Sequence, residues 1–316
     1  MPMNLDVAGT GFTVLDRIYS IDEPPFEALG GSCGNVLVSL AMLDRTVAPV
    51  LSLGNDQVGD DLVSEFAEAG AVTHYIYQHA DRASPVLAQQ FDRMSGQHSF
   101  SFFCPETERA YPRYEPIDRE EALRAEAAFE TCQVFYTDRI SEGILHAMET
   151  AAASGAVVYF EPSAVDDFQL FERAVSLASI VKYSADRLDE LWSKADLRTG
   201  AIAIVTHGAD GLDVWQDGRT THCAATAAPL VKDTCGSGDM VTVGLIDCIL
   251  GRGASESTPL VDDIIEGIKA GQRLAAANCA YFGARGLFKA HGAAVARRLL
   301  DDPAFCLDVQ LDLFSL

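Results

Sequence analysis

The residues best suited to chemistry lie in one glycine-rich segment of the C-terminal half. Between residues 233 and 239 the chain reads Asp-Thr-Cys-Gly-Ser-Gly-Asp, and an apolar helical stretch follows. Two glycines and a small serine allow a sharp turn with outward-pointing N–H groups at a helix N-terminus, which suits an anion such as phosphate. Asp239 could there accept the proton of an attacking hydroxyl group. The alternative is an acidic first-turn residue that only stabilises the helix.

The elements that must position this turn follow an alternating pattern. Short β-rich segments, each followed by a helical stretch, predict a mostly parallel sheet covered on both faces. The predicted strands lie at 5–8, 47–53, 132–137, 157–160, 180–183 and 202–206. The predicted helices lie at 32–43, 58–69, 118–129, 141–153, 238–250 and 261–282. Two predicted hairpins, 86–103 and 211–225, interrupt the alternation, so we expect one α/β domain with a small β extension.

Composition limits the compartment and the partners. The 316 residues are 48% apolar, which suffices for a sizeable core. Forty-six acidic and 23 basic side chains give a net charge of −23, which repels nucleic acid and acidic membrane surfaces. The longest apolar stretch, Met240 to Leu250, is too short to cross a bilayer, and no secretory signal is recognisable. We therefore expect a cytoplasmic protein without nucleic-acid or membrane partners.

Cysteine and histidine are dispersed along the chain. The eight cysteines include no Cys-x-x-Cys pair, and the seven histidines form no cluster. Neither a disulfide framework nor a zinc site is indicated. Any metal is expected to be held by carboxylates, water and substrate phosphate.

The segment 233–244 resembles the C-terminal signature of the ribokinase-like (PfkB-type) carbohydrate kinase family, Asp-Thr-x-Gly-Ala-Gly-Asp-x-Phe-x-x-Gly. A serine stands for the family's alanine and a valine for its phenylalanine, both conservative changes. The resemblance implies that Asp239 is the general base of a phosphoryl transfer. It also implies that the backbone of Gly236, Ser237 and Gly238 holds the transferring phosphate.

An N-terminal segment is similar to the family's acceptor-binding element. Gly30-Gly31-Ser32-Cys33-Gly34-Asn35 follows the pattern Gly-Gly-x-x-x-Asn, and Asp16 matches the family's sugar-binding aspartate. The resemblance implies that Asp16, Gly30, Gly31 and Asn35 hold the acceptor. A carboxylate can accept two hydroxyl hydrogen bonds, and glycines let a sugar approach the backbone. Read alone, the segment is a helix N-cap and Asp16 an ordinary loop acid.

Further matches concern the nucleotide. Thr206-His207-Gly208-Ala209-Asp210-Gly211 resembles the family's Thr-x-Gly-x-x-Gly, at a strand end where open α/β sheets bind ligands. Asn278 lies on a small-residue helix similar to the one beside the family's adenine pocket, and it either reads the base or is a polar core residue. The nucleotide-binding residues implied by the resemblance are Lys182, Ser184, Thr206, Gly208, Gly211 and Asn278.

One motif departs from the family. Its usual Asn-x-x-Glu is here Ser184-Ala185-Asp186-Arg187. The glutamate normally helps to organise magnesium and its waters, a task for a hard oxygen anion. Either Asp186 substitutes for it or Arg187 contacts phosphate directly, and the sequence leaves both open. The metal ligands are therefore not assigned.

The resemblance extends from Val7 to Gly286 and implies a three-layer α/β/α sandwich with about eight strands in a mostly parallel central sheet. A small β-sheet lid would comprise roughly residues 12–28 and 84–105 of a single kinase domain spanning 1–316. Since the lid residues Gln89, Gln90, His98 and Phe100 include no charge cluster, an uncharged acceptor is favoured.

The implied activity is ATP-dependent phosphorylation of a hydroxyl group of a sugar or nucleoside. The resemblance implies Mg²⁺ as cofactor, a monovalent cation as a further candidate, and a homodimer formed through the lid. The altered magnesium motif keeps a second hypothesis open, a sugar- and nucleotide-binding protein with impaired catalysis. A dinucleotide-dependent dehydrogenase is disfavoured because no Gly-x-Gly-x-x-Gly follows the first strand.

Overall fold

The computed structural model describes residues 4–19, 25–92, 97–192, 197–252 and 259–307. The strands are β1 (Leu5–Thr10), β2 (Val14–Tyr19), β3 (Phe26–Gly30), β4 (Val47–Pro49), β5 (Leu51–Gly54), β6 (Ile76–His79), β7 (Val86–Asp92), β8 (Gln97–Ser101), β9 (Cys132–Thr137), β10 (Val157–Phe160), β11 (Ile180–Ser184), β12 (Ile202–Thr206), β13 (Leu212–Gln216) and β14 (Arg219–Cys223). The helices are α1 (Ser32–Met42), α2 (Gln57–Glu68), α3 (Arg119–Arg124), α4 (Glu126–Thr131), α5 (Glu142–Ala153), α6 (Phe168–Leu177), α7 (Ala185–Trp192), α8 (Ser237–Gly251), α9 (Val261–Asn278) and α10 (Gly286–Asp301).

Eight strands form the central sheet in the order β14-β13-β12-β11-β10-β9-β1-β4. The strands from β12 to β4 run parallel, β13 is antiparallel to β12, and β14 is antiparallel to β13. Each parallel connection passes through helical segments, which brings the strands' C-terminal ends to one edge of the sheet. The predicted mostly parallel sheet is confirmed.

Two apolar cores enclose this sheet, because successive residues of a strand point to opposite faces. Val134 and Tyr136 of β9 join a core formed with α1, α8, α9 and α10. Phe135, between them, joins a core formed with α3 to α6. All three side chains are fully buried, as expected for strands covered on both faces. The predicted three-layer α/β/α arrangement is confirmed.

Helices α8 and α9 cross where both have a glycine. A Cβ atom added to Gly244 would lie 2.3 Å from the Cα atom of Gly271, and one added to Gly271 would lie 2.5 Å from the carbonyl oxygen of Val241. These distances are far below van der Waals contact, so only glycine permits this backbone approach.

A second, four-stranded sheet has the order β3-β2-β7-β8. Strand β2 pairs in parallel with β7, and β3 and β8 flank them in antiparallel pairing. Strands β2, β7 and β8 fall within the lid segments predicted from the sequence, and β3 extends two residues beyond the first segment. The turn of the predicted hairpin at residues 95–96 lies outside the described residues, as does the side chain of His98.

Several predicted elements differ in extent. The strand predicted at 47–53 is divided after Pro49, because β5 leaves the central sheet to pair with β6. The helix predicted at 118–129 is divided at Ala125, whose φ of −96° and ψ of 5° are not helical. The helix predicted at 261–282 ends at Asn278, and α6, α7 and α10 were not predicted.

The single-domain assignment and the lid dimer stay predictions. Within the described ranges, no helix is both long and apolar enough to span a lipid bilayer.

Candidate active site

A cleft of about 690 Å³ opens at the C-terminal ends of the parallel strands, beneath the small sheet. Leu87, Phe100 and Phe102 line it on the lid side. The opposite wall comes from the ends of β9, β10, β11 and β12, the start of α1, and the turn that precedes α8. This is where open α/β sheets place their ligands, because loops from neighbouring strands converge there.

The glycine-rich turn begins α8 as predicted. Gly236 precedes the helix with a left-handed backbone (φ 72°, ψ 5°), and Asp239 lies in the first helical turn. A Cβ atom on Gly236 would lie 2.4 Å from the Cβ of Ala284, so both conformation and space require glycine. The N–H groups of Gly236, Gly238 and Asp239 have no hydrogen-bond partner among the described residues, whereas that of Ser237 binds the Thr234 carbonyl at 3.2 Å. Three free donors therefore face the cleft edge, where they suit an anion.

Asp233 holds this turn in place. One oxygen of its buried carboxylate accepts a hydrogen bond from the N–H of Cys235 at 2.7 Å, and the other accepts from the N–H of Gly283 at 2.7 Å. The carboxylate thus connects the turn to the loop between α9 and α10, which carries Ala284. The first aspartate of the glycine-rich segment has a structural role.

Asp239 is buried with few compensating donors. The amide of Asn35 donates a hydrogen bond to its Oδ2 at 2.9 Å. Burial and, to a smaller extent, the nearby Glu161 carboxylate raise the pKa of Asp239 to about 7, against the opposing effects of Asn35 and Lys182. A carboxyl group with a pKa near neutrality is well matched to taking a proton at physiological pH.

Lys182 lies beneath the helix N-terminus. Its ammonium contacts the carboxylate of Glu161, the hydroxyl of Thr242 at 3.0 Å and the carbonyl oxygen of Gly238 at 3.1 Å. The three N–H donors of Lys182 each have an acceptor in the protein, so its main contacts are structural rather than with a nucleotide as expected. Its charge nevertheless borders the cleft, because Lys182 is one of the lining residues.

The four residues expected to bind the acceptor come together. Asp16 on β2 lies beside Asn35 of α1, and the buried Oδ1 atoms of both lack a hydrogen-bond partner among the described residues. A Cβ atom on Gly30 would lie 1.9 Å from Oδ2 of Asp16, and one on Gly31 would lie 2.3 Å from the carbonyl oxygen of Phe12. Buried acceptor atoms are costly without donors, and the hydroxyl groups of a polyol would supply them. Burial also raises the pKa of Asp16 to about 7, against the opposing charge of Arg285.

The residues expected to bind the nucleotide are only partly assembled. Ser184 and Thr206, at the ends of two adjacent strands, line the cleft. Gly208 (φ 58°) and Gly211 (φ 100°) shape the following turn but do not line the cleft.

Asn278, expected either to read the adenine base or to be a polar core residue, lies in the core. It is 1% exposed and does not line the cleft. Its Oδ1 accepts a hydrogen bond from the N–H of Leu287 at 2.9 Å, and its Nδ2 donates to the carbonyl of Gly283 at 3.3 Å. These contacts fix the loop that supports the glycine-rich turn, so the geometry favours the core role over base recognition.

The altered motif after β11 places an arginine in the cleft. Arg187 is a lining residue, whereas Asp186 is exposed and is not. The carboxylates that line the cleft are Asp16, Glu161 and Asp239, and they form no three-membered metal cluster in the described part of the chain. Such a set fits Mg²⁺ only if phosphate oxygens and water supply most of its ligands, which is how proteins commonly hold this ion. Asp16 is at the expected acceptor position and Asp239 at the expected base position. Glu161 is therefore the lining carboxylate that could contact a metal ion.

Three functional candidates were missed in the sequence: Asp138, Arg139 and Glu161. Each directly follows a buried strand, β9 or β10, so a charged residue at a parallel strand's C-terminal end was the available signal. Asp138 is fully buried, accepts a hydrogen bond from the N–H of Phe12 at 2.7 Å and is paired with Arg139 at 3.0 Å. Burial raises the pKa of Asp138 to about 6, against the effect of Arg139.

Solved structures share this architecture. A fructokinase from Xylella fastidiosa with bound ATP matches with a TM-score of 0.76 at 21% identity, over 95% of this chain and 99% of that chain. An aminoimidazole riboside kinase from Salmonella enterica, complexed with aminoimidazole riboside and an ATP analog, matches with a TM-score of 0.70 at 19% identity, over 93% and 99%. The fold is therefore that of the ribokinase-like kinases.

Sequence comparison agrees. A fructokinase from Vibrio alginolyticus is 22% identical over 276 residues, which are 81% of this chain and 88% of the relative. The model of the pfkB family of carbohydrate kinases matches residues 27–290, and the chain belongs to that family. It is thus a phosphotransferase with an alcohol group as acceptor.

The close approach of Gly30 to the Asp16 carboxylate can be tested by substitution. Replacing Gly30 by Ala places a methyl group on the Asp16 carboxylate, so we expect acceptor KM to rise about tenfold or more while ATP affinity stays unchanged. Steady-state kinetics and ATP titration measure the two effects. Gly251→Ala is the matched control, because its Cβ would lie 3.7 Å from the nearest atom, in ordinary contact. Equal kinetics for the two variants would contradict the assigned role of Gly30.

Proposed function

We propose that the protein transfers the γ-phosphoryl group of ATP to a hydroxyl group of a sugar or nucleoside, with Asp239 as the general base. The observation that carries this proposal is the meeting of two features in one cleft. The free N–H groups at the start of α8 lie beside Asp239. The unsatisfied oxygens of Asp16 and Asn35 line the same space, and Asn35 is hydrogen-bonded to Asp239.

The residues suggest a division of roles. Asp16 and Asn35 accept hydrogen bonds from acceptor hydroxyl groups and orient the acceptor. Asp239 takes the proton of the attacking hydroxyl group, since its pKa of about 7 leaves a large fraction ionised at neutral pH. The N–H groups of Gly236, Gly238 and Asp239 stabilise charge on the transferring phosphate. Mg²⁺ bound to ATP would supply further charge neutralisation, with Glu161 as the candidate protein ligand directly or through water.

Arg187 replaces an acid with a cation on the donor side of the cleft. Its neighbours in the cleft wall are Ser184 and Thr206, at the ends of β11 and β12. We infer that its guanidinium binds a donor phosphate, since arginine forms paired hydrogen bonds with phosphate oxygens. Asp186, the alternative to Arg187 in this motif, does not line the cleft.

The same substitution supports the second candidate function, a ligand-binding protein with impaired catalysis. Both functions require ATP and acceptor binding, so transfer itself separates them. Incubation with labelled ATP, Mg²⁺ and a panel of sugars and nucleosides detects transfer, and calorimetry detects binding. Acceptor and nucleotide binding without any transfer would favour the second function.

Replacing the Asp239 carboxyl group should lower turnover and raise the stability of the folded protein. Asp239→Asn keeps the shape of the side chain, so we expect kcat to fall by about 10²-fold or more with unchanged ATP affinity. Because burial raises the pKa of Asp239, the charged form destabilises the native state as pH rises from about 4 to 7. The variant should therefore gain at least about 2 °C in Tm at pH 8, and less at pH 5. Near wild-type turnover would falsify the assignment of Asp239.

The rate should depend on pH through Asp239. We expect kcat to fall about tenfold per pH unit below pH 7, because the protonated carboxyl group cannot accept a proton. Asp16 also has a pKa of about 7 and could produce a similar profile. The kcat profile of Asp16→Asn separates the two. The acidic limb persists in this variant if Asp239 causes it, and disappears if Asp16 does.

The donor side is tested by two neighbouring substitutions. Arg187→Ala should weaken ATP binding about tenfold or more, whereas Asp186→Asn should leave it unchanged. Calorimetric titration with ATP, with and without Mg²⁺, measures both constants. A loss of Mg²⁺-dependent ATP binding in Asp186→Asn alone would assign the magnesium role to Asp186 instead.

A further inference from the structure

Arg139 is the cation on the acceptor side of the cleft wall. It follows β9, which pairs with β1, and it lines the cleft together with Phe12, Asp16 and Asn35. Lys182 is hydrogen-bonded within the protein, and Arg187 follows β11, two strands away on the donor side. A charged group on an acceptor would therefore meet Arg139 first.

The guanidinium of Arg139 is held in one orientation. Its Nη1 donates to the carbonyl oxygen of Asp138 at 2.8 Å, to Oδ2 of Asp138 at 3.0 Å and to the hydroxyl of Ser163 at 2.6 Å. Its Cζ lies 4.5 Å from the centre of the Phe12 ring, and Phe12 packs edge-on against Tyr114 at 5.7 Å. Stacking and hydrogen bonds together immobilise a side chain that is otherwise rich in rotamers.

This anchoring uses only one of the three guanidinium nitrogens. The Nε and Nη2 atoms of Arg139 have no hydrogen-bond partner in the described ranges, and 28% of the side chain remains exposed. The donors on these two nitrogens form a planar pair that matches the two oxygens of a carboxylate. Because Arg139 lines the cleft, these donors remain available to a ligand that enters it.

The charge balance favours a monoanion. The fully buried carboxylate of Asp138 already offsets the charge of Arg139, and Asp16 adds a further acidic group nearby. Arg285, behind Asp16, is committed to Glu65 and to the carbonyl oxygen of Leu29, and it does not line the cleft. Lys289 acts on Asp16 from an adjoining pocket, where it lies over the Phe26 ring, and it does not line this cleft. On the acceptor side of the cleft wall a phosphate dianion would therefore meet Arg139 alone, whereas a single carboxylate needs only one pair of donors.

We propose that the acceptor is a hydroxylated carboxylic acid, a sugar acid, whose carboxylate is bound by Nε and Nη2 of Arg139. The proposal rests on the proposed function and names the acceptor class of the same site. Its hydroxyl groups pair with Asp16 and Asn35, and the reacting hydroxyl lies at Asp239. This differs from the uncharged acceptor favoured by the lid sequence, because the cation comes from a strand end rather than from the lid.

The test compares acids with neutral sugars of the same carbon skeleton. Binding of D-gluconate and D-glucose, and of D-ribonate and D-ribose, is measured by calorimetry with a non-hydrolysable ATP analogue present. We expect each acid to bind the wild type at least about tenfold more tightly than its neutral partner. If neither acid binds more tightly than its partner, the proposal is wrong.

Variants of Arg139 identify the cause of that preference. Arg139→Lys keeps a positive charge beside Asp138 but loses the planar pair, and Asp138→Asn with Arg139→Gln removes both charges together. Both should lose most of the preference for acids, while binding of the neutral sugars changes by less than about threefold. Arg173→Gln, an exposed arginine on α6 paired only with surface acids, is the control for loss of one positive charge and should keep the preference.

The outcomes separate this proposal from the proposed function. An equal loss of acid and neutral binding in the Arg139 variants would show a merely structural role and overturn the proposal. Phosphoryl transfer to a neutral sugar, unaffected in these variants, would support the kinase function and refute the acid acceptor. Arg139-dependent binding of an acid without transfer to any acceptor would support the carboxylate site at Arg139 but refute the kinase function, and with it the acceptor role of that acid.

Discussion

The ammonium of Lys182 is the point at which the central sheet, the strand end carrying Glu161 and the start of α8 are joined. It reaches from β11 to the Glu161 carboxylate, the Thr242 hydroxyl and the Gly238 carbonyl, and Lys182 is itself buried. A buried charge is tolerated only when it is paired and hydrogen-bonded, so these acceptors have little freedom to move. The carbonyl of Gly238 is thereby fixed, and the free N–H groups of the same turn are fixed with it.

The second electrostatic feature of the site is a group of buried carboxyl groups in and beside the cleft. Asp239, Asp16 and Asp138 are all buried, and each has a raised pKa because burial outweighs its nearby cations. A chain selected for stability alone would replace these groups with apolar ones. Their presence in and beside a single cleft is the electrostatic sign of a functional site. The net charge of −23 makes local cations the main means of binding an anionic ligand.

Local sequence predicted the parts of the site that depend on local backbone geometry. The turn before α8 needs a left-handed residue, and Gly236 supplies it in a pattern readable without a structure. The hydrogen-bond partners of Lys182 and Asn278 could not be predicted, because they lie 21 to 60 and 5 to 9 residues away and depend on how the layers pack. Arg139 was missed for the same reason: its orientation depends on Phe12 and Ser163, which are brought to it by other strands. A sequence motif thus predicts local backbone conformation. The partners of a long side chain depend on the tertiary structure and cannot be predicted from the motif.

The glycine crossing of α8 and α9 has a mechanical consequence. With Gly244 against Gly271, the two backbones interlock so closely that a slide of one past the other would bring main-chain atoms into collision. The pair therefore forms one rigid unit, and Asp239 and the glycine-rich turn lie at its end. The other side of the cleft is lined by Leu87 and Phe100 of the four-stranded sheet, which short connections join to β1 and α1. Any change in the width of the cleft would therefore come from the small sheet rather than from the α8–α9 pair.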